Sequence, residues 1–123
     1  MKLDMVGIIV KDMTKAIAFY TLLDFTVREH YGEYVELHND GVRLSLNTQH
    51  MITQVYGFEP QLKGERIELA FLCDTAQQVD HYCNILHEAG HKIVKAPWLA
   101  PWQQYYAIVQ DVDGNLISLF ATI

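Results

Sequence analysis

The sequence predicts an α+β fold made of one βαβββ unit used twice. Three observations carry that expectation. A strand, helix and three-strand order runs from Leu3 to Asn47 and restarts at Arg66; aspartates, Asp12 and Asp74, stand at the two matching helix starts; and Asp111-Val112-Asp113-Gly114-Asn115 joins two runs rich in Ile, Val, Tyr and Leu with the residues a tight hairpin needs. Each helix can cover one face of its four strands. The other two faces, curved mixed sheets, are left to enclose a cleft where a ligand would lie.

In chain order, the apolar run Leu3 to Val10 is too short for a helix and ends at Lys11-Asp12, so it reads as a strand with Asp12 as the following N-cap. Met13, Ala16, Ile17, Tyr20 and Leu23 then keep the three-four spacing of an amphipathic helix. Phe25 to Tyr31, Glu33 to His38 and Gly41 to Asn47 read as three strands, parted by Tyr31-Gly32 and by the strong turn signal Asn39-Asp40-Gly41. This first repeat occupies about residues 1–47. Residues 48–64, with Met51, Ile52, Tyr56, Phe58 and Pro60, show no clear period and read as a linker arm.

The second repeat, about residues 65–123, opens with a strand from Arg66 to Cys73. Asp74 is its expected N-cap, with Gln77 in a capping-box position. Val79, Tyr82, Cys83, Leu86 and Ala89 form the apolar stripe of its helix, and Gly90 stops it. His91 to Lys95, Gln104 to Gln110 and Leu116 to Phe120 complete the strands. Between them Pro97-Trp98-Leu99-Ala100-Pro101-Trp102 reads as an aromatic loop leading into the hairpin.

A chain of 123 residues is one domain by size, spanning 1–123. Nine basic against fifteen acidic residues, net charge -6, is the wrong sign for tracking phosphates, so no nucleic-acid partner is expected. No apolar run approaches the roughly 18 residues of a membrane span and no signal-peptide layout opens the chain, which places it in the cytoplasm with no membrane partner. Cys73 and Cys83 have no CxxC or zinc-ribbon spacing and read as buried free thiols.

Two segments carry a family resemblance. Asp12-Met13-Thr14-Lys15-Ala16-Ile17-Ala18-Phe19-Tyr20 with Leu23-Asp24-Phe25, and Asp111-Val112-Asp113-Gly114-Asn115-Leu116-Ile117-Ser118-Leu119, resemble the most recognisable stretches of the vicinal oxygen chelate superfamily. That superfamily holds glyoxalase I, the extradiol dioxygenases and the bleomycin, fosfomycin and mitomycin resistance proteins. The resemblance spans nearly the whole chain and implies the glyoxalase/bleomycin resistance/dihydroxybiphenyl dioxygenase fold; it says little about activity.

In members resembling glyoxalase I, four strand positions supply His and Glu ligands to a divalent metal. Carried onto this sequence, those positions fall on Met5, Arg43, Glu68 and Ser118, of which only Glu68 is a capable donor. No metal and no other cofactor is therefore expected, though a divalent ion with a rearranged ligand set stays open as an alternative. His87-Glu88-Ala89-Gly90-His91 matches the HExxH string of zinc proteases, but Gly90 stops the helix and separates the two histidines, so the match is accidental.

Period-two alternation gives an inward face without the family. With Val35, Leu37, Leu44 and Leu46 in the core, Glu36, His38, Arg43, Ser45 and Asn47 point into the cleft, and with Ile67, Leu69 and Phe71 under the helix so does Glu68. Arg43 and Glu68 either serve a ligand, pair with each other or lie at a wet rim. At least one of Trp98 and Trp102 is expected to face the ligand, and a strand must split Tyr105 from Tyr106 between its two faces. The expected ligand-binding set is Glu36, His38, Arg43, Glu68, Trp98, Trp102, Tyr105, Tyr106 and Ser118. It suits a small-molecule-binding protein similar to the drug-sequestering resistance proteins, holding a planar ligand. The alternative is a lyase, isomerase or dioxygenase-like enzyme with a rearranged metal site or with Glu68 or His38 as a metal-free general base, and a third possibility is a structural or regulatory homodimer. A homodimer is expected in any case, with Met51, Ile52, Tyr56 and Phe58 covered by a partner chain.

Overall fold

The computed structural model describes all residues from Met1 to Ile123. Two compact units, Met1–Leu62 and Lys63–Ile123, share a βαβββ order, to which the first adds a helix.

The first unit holds β1 (Met5–Val10), α1 (Met13–Leu22), β2 (Val27–His30), β3 (Tyr34–Leu37), β4 (Arg43–Thr48) and α2 (Gln49–Tyr56). Its sheet has the order β1-β4-β3-β2, with β1 parallel to β4 and the other pairs antiparallel. Asp12 caps α1 as expected, its carboxylate accepting from the Lys15 amide at 3.0 Å. Ala16, Phe19, Tyr20 and Leu23 are buried, while Met13 and Ile17 are only half-buried. Positions 16, 19, 20 and 23 are the i, i+3, i+4, i+7 stripe, so Met13 and Ile17 fall at its edge, and within the stripe Phe19 meets Tyr20 edge-on with centroids 5.1 Å apart. Ile8, Val10, Val35, Leu37, Leu44 and Leu46 supply the sheet's half of this core.

The stretch read as an irregular arm contains a helix. Thr48 caps α2 by accepting from the Met51 amide at 3.1 Å, and Gly57 closes it in the left-handed region at φ 81. Glu33, from the β2–β3 turn, accepts from the Thr48 hydroxyl at 2.9 Å and pairs with His50 at 2.8 Å, so the helix start is fixed to the sheet. Those two bonds hold the Glu33 carboxyl below its usual range. Met51 and Ile52 are half-buried; Val55, Tyr56 and Phe58 are exposed.

The second unit holds β5 (Glu68–Leu72), α3 (Ala76–Glu88), β6 (Ile93–Ala100), β7 (Gln104–Gln110) and β8 (Leu116–Thr122), in the sheet order β5-β8-β7-β6. The N-cap of α3 is Thr75, not Asp74. The Thr75 hydroxyl accepts from the Gln78 amide at 3.2 Å, and Gln78, not Gln77, reaches back to accept from the Asp74 amide at 2.7 Å. A hydroxyl one residue later gives the same reciprocal bonding with the helix shifted by one. Val79, Cys83 and Leu86 are buried with Ala107, Val109, Ile117, Leu119 and Ala121 of the sheet, and both cysteines are free and buried.

The aromatic loop is strand for most of its length. β6 runs on through Pro97 and Trp98 to Ala100, with register shifts between Ile93 and Lys95 and between Lys95 and Trp98. An edge strand tolerates Pro97 because no neighbour claims the missing N–H there, and the shifts absorb its geometry. The β7–β8 turn is built by Asp111, which accepts from the amides of Asp113 at 2.9 Å and Asn115 at 2.8 Å, with Gly114 at φ 86.

Register makes the repeat explicit. In the parallel pairs, Met5 faces Arg43 and Gly7 faces Ser45, as Glu68 faces Leu116 and Ala70 faces Ser118. Ser45 is thus the counterpart of Ser118, and the ligand position carried onto Arg43 belongs two residues on, at Ser45.

Candidate ligand-binding faces

Strand alternation gives each sheet a face turned away from its helix, and the two are chemically different. On the first, Met5, Gly7 and Ile9 of β1 stand beside Arg43, Ser45 and Asn47 of β4, with Tyr34 and Glu36 of β3 next in line. Glu36, Ser45 and Asn47 are buried. The Asn47 amide donates to the Ser45 hydroxyl at 3.0 Å, and the Tyr34 hydroxyl donates to Glu36 at 3.2 Å. Arg43 reaches Asp4 at 2.5 Å and Glu36 at 3.7 Å. Charge and geometry agree: the Arg43 bond holds the Asp4 carboxyl below its usual range, Asp4 raises the guanidinium in turn, and burial followed by the Glu36 bond raises the Tyr34 phenol.

On the second face an unbroken cross-strand row crosses all four strands. Leu72 of β5 pairs with Phe120 of β8, Phe120 with Tyr106 of β7, and Tyr106 with Trp98 of β6. Tyr106 stacks on Phe120 with centroids 5.7 Å apart, and Trp98 meets Tyr106 edge-on at 5.6 Å. Trp102, in the β6–β7 turn, closes the cluster edge-on to Trp98 at 5.9 Å and to Tyr106 at 5.3 Å, and its indole N–H donates to Gln104 at 3.0 Å. Trp102 is 54% exposed and Leu72 65%, so the row offers aromatic and aliphatic surface outward. Its neighbouring row, two residues along the strands, is Ala70, Ser118, Ile108 and Lys95. Ser118 is fully buried and donates to Glu68 at 2.6 Å, and the Lys95 ammonium lies 4.0 Å from the Trp98 ring centroid.

The residues expected from the sequence therefore fall into separate groups. Glu36 and Arg43 come together in the first unit; Glu68 with Ser118, and Trp98 with Trp102 and Tyr106, come together in the second. Arg43 takes its carboxylates from Asp4 and Glu36, and Glu68 takes Ser118. His38 lies past the end of β3, exposed, its amide bonded to the Thr26 carbonyl, so strand parity does not extend to it. Tyr105 is on the helix side: its hydroxyl donates to Asp80 of α3 at 2.6 Å, and that bond raises its phenol pKa. Tyr34, Lys95 and Phe120 were not expected. Parity from Glu36 and from Ser118 points to Tyr34 and Phe120; Lys95 is hidden by the register shifts around it.

The donor set does not suit a divalent metal. Met5 offers a thioether, Ser45 and Ser118 hydroxyls already bonded to Asn47 and Glu68, and no cluster of three or more His, Cys, Asp or Glu side chains is placed to hold an ion. His87 ends α3 and His91 lies beyond Gly90 at φ 86, so the HExxH string is split as expected.

A βαβββ unit used twice, with a helix on one side of each sheet and a functionalised face on the other, defines a paired-repeat α+β class. The profile described as the Glyoxalase/Bleomycin resistance protein/Dioxygenase superfamily matches residues 2–119, and the chain belongs to that superfamily. Among solved structures, a glyoxalase/bleomycin resistance protein/dioxygenase family enzyme from Burkholderia phytofirmans PsJN is similar over 100% of both chains, at 22% identity and TM-score 0.89. A glyoxalase-related enzyme from Fulvimarina pelagi has 15% identity and TM-score 0.90 over 98% of this chain and 88% of its own. Lactoylglutathione lyase from Agrobacterium tumefaciens has 15% identity and TM-score 0.76 over 98% and 92%. At such identities the likeness is one of fold. No curated protein matches the chain in sequence. No helix is long and apolar enough to cross a membrane.

Proposed function

We propose that this chain is a small-molecule-binding member of the superfamily that holds a planar ligand on the aromatic face of its second sheet, without a divalent metal. The observation that carries the proposal is the row Trp98, Tyr106, Phe120 and Leu72, capped by the exposed Trp102. Ring clusters packed only for stability bury their faces; this one keeps an indole and a leucine outward, where stacking contributes on the order of 1 kcal/mol beyond buried area. The metal-free part of the proposal is supported by the donors: a thioether and already-bonded hydroxyls leave Glu68 as the one capable ligand among the four positions.

The test is a panel of planar aromatic compounds screened by thermal shift and tryptophan quenching. The expected result is a ligand that quenches tryptophan emission and whose affinity drops several-fold in Trp102→Ala. If a ligand is found and neither Trp102→Ala nor Tyr106→Ala changes its affinity, the cluster is packing and the proposal fails. Elemental analysis checks the second clause: about one equivalent of zinc, nickel, iron or manganese per chain, lost in Glu68→Ala, would overturn it. The homodimer belongs to the same proposal, supported by exposed Val55, Tyr56 and Phe58, and sedimentation at the 14.2 kDa chain mass would refute it.

A further inference from the structure

The aromatic face carries one cation. Of the residues that β5 to β8 turn toward it, Lys95 is the basic one, and Glu68, the acidic one, is already engaged by Ser118 at 2.6 Å. Lys95 makes no ion pair; its ammonium rests 4.0 Å from the Trp98 centroid. An ammonium over an indole is held by the ring's negative face yet keeps its N–H donors unspent, a weaker arrangement than a carboxylate partner would give. Lys95 starts from the row beside the aromatic one, and its ammonium reaches back over Trp98, so an anionic group that meets it lies at the edge of the aromatic row.

Building on the function proposed above, we infer that the ligand is a planar aromatic acid, its ring on the row of Trp98, Tyr106 and Phe120 and its anionic group taken by the Lys95 ammonium. The charge pattern decides the sign. A cationic ligand would have to displace Lys95 from Trp98 or sit beside it with like charge, and the Glu68 carboxylate that could welcome it is at the far strand, β5. A neutral ligand gains little from the exposed Lys95 ammonium, which keeps its water as acceptor. An anion satisfies the Lys95 N–H groups and leaves the cation–π contact in place.

Three probes of one shape separate the cases: 2-naphthoate, 2-naphthamide and 2-naphthylmethylammonium, measured by calorimetry against the wild-type chain and the Lys95→Met and Lys95→Arg variants. Naphthoate is expected to bind about fivefold more tightly than naphthamide, and the ammonium more weakly than either. Lys95→Met, which keeps an apolar stem over Trp98, should erase the naphthoate advantage while leaving naphthamide unchanged; Lys95→Arg should retain it. Raising the salt should narrow the gap. Equal binding of acid and amide, a gap that survives Lys95→Met, or tightest binding of the ammonium overturns the inference while leaving a planar-ligand protein standing. Binding of none of the three overturns this inference, while the planar-ligand function is decided by the wider panel and the Trp102→Ala and Tyr106→Ala variants.

Discussion

The two sheets have the same strand order and the same parallel register, yet matched positions carry opposite chemistry. Where the second has Leu72, Phe120 and Tyr106 in a row, the first has Ile9, Asn47 and Tyr34; where the second has Ile108 and Lys95 beside Ser118, the first has Glu36 and Glu29 beside Ser45. The buried serines and the tyrosines are identical, and Ile9 and Leu72 are both aliphatic. The helix-side positions stay apolar in both, so the fold is specified by one face of each sheet, and the other is free to diverge. In the first unit the free face became a hydrogen-bonded network, and in the second an aromatic one.

The difference can be broken at its anchors. In the second unit the Leu116 amide bonds to the Gly64 carbonyl, where in the first the equivalent Arg43 amide bonds to Asp4. A Cβ on Gly64 would stand 2.5 Å from the Asn115 Cα, a backbone clash, whereas one on Gly7 would meet the movable end of Asn47 at 3.1 Å. Gly64→Ala is therefore expected to cost about 2–4 kcal/mol in urea unfolding, and Gly7→Ala less than about 1. Similar losses would show that the Asn115 turn can shift.

The aromatic row comes next. Trp98 is half-buried among two rings and the Lys95 stem, so Trp98→Ala should lower stability by about 1–3 kcal/mol; Trp102→Ala should change the midpoint little and show itself in ligand affinity. The opposite ranking would make Trp102 the packing ring of the cluster and take it out of the ligand site.

A third experiment sharpens the polar face. Arg43→Met leaves the buried Glu36 carboxylate with Tyr34 alone and should lower the unfolding midpoint at neutral pH, with most of the loss regained when Glu36→Gln is added. Additive losses would mean that Arg43 serves Asp4 alone. The smallest effect is a titration. Arg43 depresses the Asp4 pKa, so this pair's stabilisation is complete above the ordinary value of 3.8 and is lost as the pH falls through the lowered one; in Arg43→Met the Asp4 midpoint followed by NMR should climb back toward 3.8.

The repeat was legible because Ile, Val and Leu fall at period two in the strands and at three-four spacing in α1 and α3, and because Asp111 to Asn115 has few conformations other than a turn. α2 was not, since its apolar positions 51, 52, 55 and 56 lie only half under the sheet and the eight residues hold too few turns for a period to emerge; the usable signals were its ends, Thr48 and Gly57. β6 was cut short at Lys95 because Pro97 argues against a strand everywhere except at an edge, and edge position is a property of topology. The same applies to the faces: parity shows that Tyr105 and Tyr106 must part, and only the placement of α3, where Asp80 takes the Tyr105 hydroxyl, decides which goes where.

The two thiols have a use unconnected with ligands. Cys73 and Cys83 both lie in the second unit, and burial, followed by the nearby Asp80 charge, pushes the Cys83 pKa up to about 11. Neither can react with an alkylating reagent until the packing around it lets water and base in. Under native conditions the alkylation rate is then a clock for opening of that unit alone, readable without any introduced label. Set beside amide exchange in β1 and β4, it shows whether the two repeats open as one cooperative block or one before the other.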